Sequence, residues 1–223
     1  MYKTGLLTLG LIGTLFITSC IKHEVIPAPE PQVDLDAHFE GLVGGSFLEY
    51  TENVDGYYGL SELATQSAGG VSNAQYTFSM ISPSELPSIK ISMGSLTWND
   101  ASGATIPALS LFNSFFQAND APAYSNMALS GFQVTFRDAS GLDWKSDEAS
   151  PVQNVYIDPL SIVQESDANG DYSKFNMTFD CPIYHTYSVV DISIVPQTIP
   201  ATMRDSIGTI QIDQASYRGW FQR

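Results

Sequence analysis

The chain has 223 residues with 9 basic and 24 acidic side chains, a net charge of −15, and 43% hydrophobic content. That balance excludes a nucleic-acid binder, which needs basic patches, and it excludes docking on anionic lipid headgroups. The hydrophobic content is too high for a disordered chain and ample for a core.

The first predicted element is a short leader. Lys3 precedes an apolar run over residues 5 to 17, about 13 residues against the roughly 20 of a membrane span. These proportions fit the core of a signal peptide. The run ends at Ile17-Thr18-Ser19-Cys20, an aliphatic residue, two small residues and a cysteine. This resembles the lipobox of bacterial lipoproteins, which implies lipidation of Cys20 and removal of residues 1–19. A lipidated Cys20 would hold the protein to the membrane without further help. Only Lys3 among the charged residues falls in the leader, so the remainder carries 8 basic against 24 acidic residues, net −16.

Residues 20 to 36 read as a tether. Pro27, Pro29 and Pro31 favour an extended form, and Glu24, Glu30, Asp34 and Asp36 add charge. Lys22-His23-Glu24 resembles the signal that sends some Bacteroidota lipoproteins to the cell surface. The expected location is the outer membrane, on its periplasmic or cell-surface side.

Residues 37 to 223 read as one domain. Leu35, Phe39, Leu42 and Val43 have helical spacing behind Asp34, which predicts a short helix ended by Gly44-Gly45. Residues 46 to 50 then open a first strand. Alternating apolar residues predict further strands at Tyr76, Phe78 and Met80; at Ile89, Ile91 and Met93; and at Phe132, Val134 and Phe136. The pattern recurs at Val155 and Ile157, over residues 175 to 181, and at Val190, Ile192 and Ile194. Ile210, Ile212 and residues 217 to 221 complete the series. Leu109, Phe112, Phe115 and Phe116 predict a helix over residues 108 to 118. Many short strands and few helices predict an all-β fold, an antiparallel β-sandwich or jelly roll with one or two short helices. The aromatic last strand is expected to close the sandwich, with Tyr217 and Phe221 in the core over Gly219 and Trp220 on the opposite face.

The second half has a recognisable cadence: residues 130 to 136 (SGFQVTF), Asp138, Gly141, Trp144-Lys145-Ser146, residues 179 to 184 (FDCPIY) and residues 217 to 221 (YRGWF). With the lipobox and acidic tether, it is similar to the uncharacterised small β-sandwich lipoproteins of Bacteroidota. The resemblance covers about residues 125 to 223 and the anchor. It carries no catalytic residue to this chain.

If Cys20 is lipidated, Cys181 has no disulfide partner. Its alternation with Met177 and Phe179 places it on an apolar face as a packing thiol. Asp167-Ala168-Asn169-Gly170-Asp171 resembles half a calcium loop, but the twelfth position is Thr178 where a bidentate Glu is required. Asn169-Gly170 between strands favours a hairpin. His23, His38 and His185 lack metal-ligand spacing, so no metal and no cofactor is expected. A triad would need His38 or His185 as base. Asp143, Asp147 and Glu148 beside Trp144 are the one cluster that a glycosidase could use. Trp98, Trp144 and Trp220 are candidate glycan-facing rings, with core packing as the commoner use of tryptophan. No catalytic residue is assigned. The expected protein is a non-enzymatic outer-membrane lipoprotein acting as a binding or structural module. Its partners are the membrane, through Cys20, and a glycan or an envelope protein. A surface glycan-binding accessory protein is the alternative, and a secreted hydrolase comes third.

Overall fold

Alternation of apolar and polar side chains dominates the computed structural model, which describes residues 32–101, 103–150, 152–190 and 203–223. The leader, Cys20, the tether up to residue 31, and Ile192 and Ile194 lie outside the described residues. The strands are β1 (His38–Val43), β2 (Ser46–Thr51), β3 (Tyr58–Ala68), β4 (Val71–Ile81) and β5 (Ser88–Asn99). After one helix, α1 (Leu109–Ala118), come β6 (Phe132–Arg137), β7 (Asp143–Ser146), β8 (Asn154–Ile157), β9 (Val163–Asp167), β10 (Gly170–Val190) and β11 (Met203–Gln222). No helix among the described residues is long and apolar enough to cross a membrane.

The fold is all-β. One strongly curled antiparallel sheet has the order β2-β1-β11-β10-β7-β6-β5-β4-β3, with β8 and β9 also paired to β10. Curling brings the two ends of the sheet face to face over a shared core. Phe78 of β4 meets Phe175 of β10 at 5.8 Å between ring centroids, and Tyr217 and Trp220 of β11 at 5.6 and 4.8 Å. The buried Tyr217 hydroxyl donates to the Ile89 carbonyl (3.1 Å), and the Gln222 amide donates to Ser61 Oγ (2.9 Å). Helix α1 closes one side. Phe112 and Phe116 are one turn apart and pack on Tyr76 at 5.2 and 5.4 Å, with Phe116 stacked on Phe221 at 4.7 Å.

The last strand is central. β11 runs between β10 and β1 and pairs with both. Tyr217 and Phe221 are buried as expected. Trp220 is buried too, and Gly59 is the residue that makes room for its ring. Cys181 is fully buried opposite Ile212, and burial pushes its thiol up to about 12, with the nearby Asp180 and Asp213 charges adding to the shift.

The helix expected around Leu35 to Val43 is instead strand β1. Phe39 and Val43 satisfy helical and strand spacing alike, and Gly41 between them decides the matter. It faces inward, and its missing side chain lets Ala215 of β11 approach; a Cβ there would lie 3.1 Å from Ala215 Cα. Gly44 and Gly45, with φ of +60° and +80°, form the two-residue turn from β1 to β2. They end no helix.

Candidate functional site

The residues that sequence reasoning singled out are engaged within the fold. Trp98, Trp144 and Trp220 are at most 8% exposed, so none offers a flat face to a sugar, and their glycan-facing reading gives way to packing. The Trp98 indole donates to the Ala104 carbonyl (3.1 Å) and that of Trp144 to Asp138 (2.9 Å). The 167–171 segment is the β9–β10 hairpin, with Ala168-Asn169 as its turn. Asp167 accepts the amides of Asn169 (2.7 Å), Gly170 (3.2 Å) and Val33 (2.9 Å), while Asp171 pairs with Arg223 at 2.6 Å. These donors occupy the oxygens that a calcium ion would need. No cluster of three or more potential metal ligands occurs among the described residues.

The carboxylates around Trp144 are likewise held. Arg137 grips Asp143 with two hydrogen bonds of 2.8 and 3.2 Å. Asn126 donates from Nδ2 to Asp147 (2.7 Å) and from its backbone to Glu148 (3.0 Å). His185 Nδ1 lies 2.8 Å from the Asp143 carbonyl; a carbonyl only accepts, so this nitrogen carries the proton. His38 Nδ1 lies 3.0 Å from Thr51 Oγ1 and its Nε2 lies 3.8 Å from Glu40. The spacing resembles a triad, but the two residues are direct cross-strand neighbours and Thr51 donates to Glu49 at 3.3 Å. None of the hollows described below includes them.

A different set of residues forms a groove. The outward positions of β5, β6, β7 and β10 come into register as Lys90, Thr135, Lys145 and Tyr184. At about 4.8 Å per strand, this row spans about 14 Å. Their neighbours Ile89, Ile91, Val134, Phe136, Trp144 and Ile183 all point into the core, which fixes the row on the outer face. Three hollows adjoin along it. The largest, about 370 Å³, is floored by Thr135, Lys145 and Tyr184 and walled by Asn126 and Asp147. A hollow of about 140 Å³ shares Thr135 and adds Lys90, Arg137 and Asp143. A third, about 320 Å³, shares Arg137 and Ser88 and extends under the 82–86 loop.

The electrostatics of this groove run against the rest of the molecule. Lys174, Arg218 and Arg223 each pair with their own carboxylate, Glu165, Asp36 and Asp171. Among the described residues, neither Lys90 nor Lys145 has a carboxylate at ion-pairing distance. Asp143 is the acid they share. The Arg137 hydrogen bonds hold its carboxyl below the usual range against the opposing effect of burial, and the charges of Arg137, Lys145 and Lys90 add to that. Lys90, Arg137 and Lys145 gather around Asp143, and with Asp147 and Glu85 also on the lining the groove is close to neutral on a chain of net −15. Asp147, at one end, is held ionised by the Ala149 amide and by Asn126.

Sequence reasoning met Thr135, Lys145 and Tyr184 only as parts of a structural cadence and did not single out Lys90, so none of the four was a candidate site residue. The signal was present, as lysines at outward strand positions in an acid-rich chain, but joining them needs the register of four strands. No protein-family model, curated protein or solved structure matches the chain.

Proposed function

We propose that this chain is a lipid-anchored, non-catalytic binding module of the cell envelope, tethered through Cys20 and presenting the groove on the outer face of β5, β6, β7 and β10. The lipobox-like Ile17-Thr18-Ser19-Cys20 supports the anchor. The groove carries the binding reading. Its floor offers an ammonium group on either side of a hydroxyl, with an aromatic ring beyond, while the carboxylates in and beside it are held by N–H donors. A hydrolase of the two-carboxylate kind needs one acid free to give a proton and another free to attack or to activate water. Asp143 is instead held by Arg137 across the β6–β7 pair, and Asp147 and Glu148 accept from Asn126 in the loops.

Metabolic labelling with a fatty acid tests the anchor. Wild-type protein is expected to incorporate the label and Cys20→Ser to lose it; equal labelling of the two would refute the anchor. Incubating the full-length protein in mild detergent with envelope polysaccharides tests the rest. Retention without shortening of the polymer is expected, and time-dependent cleavage that co-purifies with the protein would refute a non-catalytic module.

A further inference from the structure

We infer that the groove binds an acidic polysaccharide, with sugar carboxylates at Lys90 and Lys145 and a sugar ring against Tyr184. This rests on the reading of the chain as a binding module and names the class of its ligand.

Three observations carry it. The first is charge. The groove concentrates Lys90, Arg137 and Lys145 on a molecule that is otherwise strongly acidic, and two of these have no carboxylate partner among the described residues. A neutral ligand can accept hydrogen bonds from these ammonium groups, whereas an anion adds the attraction of opposite charges to the same hydrogen bonds. The second is spacing. Lys90 and Lys145 stand two strands apart, about 10 Å, with Thr135 between them and Tyr184 one strand beyond. The row therefore meets a repeating polymer with anions at intervals better than it meets one compact ion. The third is shape. The hollows adjoin in a line and most of their lining residues are polar, with Gln133 and Ser125 along one side and Ser88 farther on, the apolar parts of these side chains giving surface for a sugar ring.

A sugar chain fits such a groove better than an acidic peptide does. Extended peptides gain affinity by pairing with a sheet edge and by filling apolar pockets, and this floor is the face of paired interior strands. Nucleic acid is disfavoured because its affinity comes mainly from neutralising many phosphates with Lys and Arg, and this groove carries three such side chains on an acidic molecule. The molecule's net negative charge does not prevent the contact. At physiological salt, charges beyond about 8 Å are largely screened, while the lysines would touch the ligand. Asp147 walls the hollow that holds Lys145 and Tyr184, and Glu85 lines the hollow beyond Arg137, so the anionic groups of the ligand are directed to the lysines and away from these two acids.

The test uses full-length protein in mild detergent and three probes: polygalacturonate, its fully methyl-esterified form, and poly-glutamate. Polygalacturonate is expected to bind, more weakly as salt rises above physiological strength, and the ester to bind at least about tenfold more weakly, the scale of one charge-assisted hydrogen bond. The double variant Lys90→Gln, Lys145→Gln should match that loss on polygalacturonate with unchanged melting temperature. Tyr184→Ala should weaken binding and Tyr184→Phe restore it. Equal binding of ester and acid overturns the charge assignment but leaves a binding module. Tighter binding of poly-glutamate than of polygalacturonate overturns the sugar assignment. Failure of polygalacturonate to bind at all overturns the inference. Shortening of the polymer overturns the module reading itself.

Discussion

Adding one methyl group at Gly219 probes the packing that closes the fold. A Cβ at Gly219 would lie 2.6 Å from Cδ1 and 2.7 Å from Cζ of Phe78, well inside van der Waals contact. That ring has nowhere to go. It is fully buried between Phe175, Tyr217 and Trp220, and a Cβ on Gly59 would itself lie 2.8 Å from Phe78 Cζ. On backbone grounds alone, Gly→Ala in a strand gains about 0.5–1 kcal/mol. Overpacking a tight core costs about 1–3 kcal/mol and occasionally more. The overpacking wins, so Gly219→Ala should lower stability by about 1–2 kcal/mol and the melting temperature by roughly 2–8 °C for a domain of this size. Thermal unfolding followed by circular dichroism measures this. The decisive comparison is the same substitution in a Phe78→Leu background, where the smaller side chain leaves room. There its cost should fall by at least about 0.5 kcal/mol, the coupling expected of residues in contact. A Gly219→Ala protein that melts like wild type, or one that loses the same amount in both backgrounds, would refute the packing argument.

Cys181 should resist thiol reagents in the folded protein at pH 8 and react fully once unfolded, because burial raises its pKa to about 12. The buried neutral thiol is favoured by folding, so its contribution is complete below the ordinary value of 9.0 and declines as pH rises from there towards 12; Cys181→Ala should remove that alkaline slope in a pH series of melts. Asp171 is held below its ordinary value of 3.8, first by the Ser166 hydroxyl and then by Arg223, against the opposing effect of burial. Its stabilisation is complete above that value and is lost as pH falls through the depressed one, so Asp171→Asn should cost about 1–2 kcal/mol at pH 7 and flatten the acid side of the stability curve in urea titrations.

Strict alternation was legible where a strand buries one whole face. Phe175 to Cys181 and Tyr217 to Phe221 belong to β10 and β11, which pair with each other along these stretches and bury their inward side chains. The 108–118 helix was legible because Phe112 and Phe116 lie one turn apart. Strand β3 was missed because it is an edge strand, largely exposed, with few apolar residues to set a period. β7 is four residues long, and its Trp144 and Asp143 read as chemistry before they read as a strand. The tryptophans are the most instructive case. An aromatic ring is equally suited to a core and to a sugar, and only the curl of the sheet places Trp98, Trp144 and Trp220 inside. The groove was hidden for the converse reason. Lys90 and Lys145 lie 55 positions apart in sequence and meet around Thr135 only through pairing of β5 with β6 and of β6 with β7.

Flotation of lipid vesicles carrying the full-length protein tests the anchored-module account most directly. Wild-type protein reconstituted into phosphatidylcholine vesicles is mixed with polygalacturonate and spun through a density gradient, and the amount and chain length of polymer in the floating layer are measured. The account predicts that protein and polymer float together with the polymer at its original length, and that Cys20→Ser leaves both at the bottom. Vesicles that float with protein but no polymer, or with shortened polymer, would contradict it.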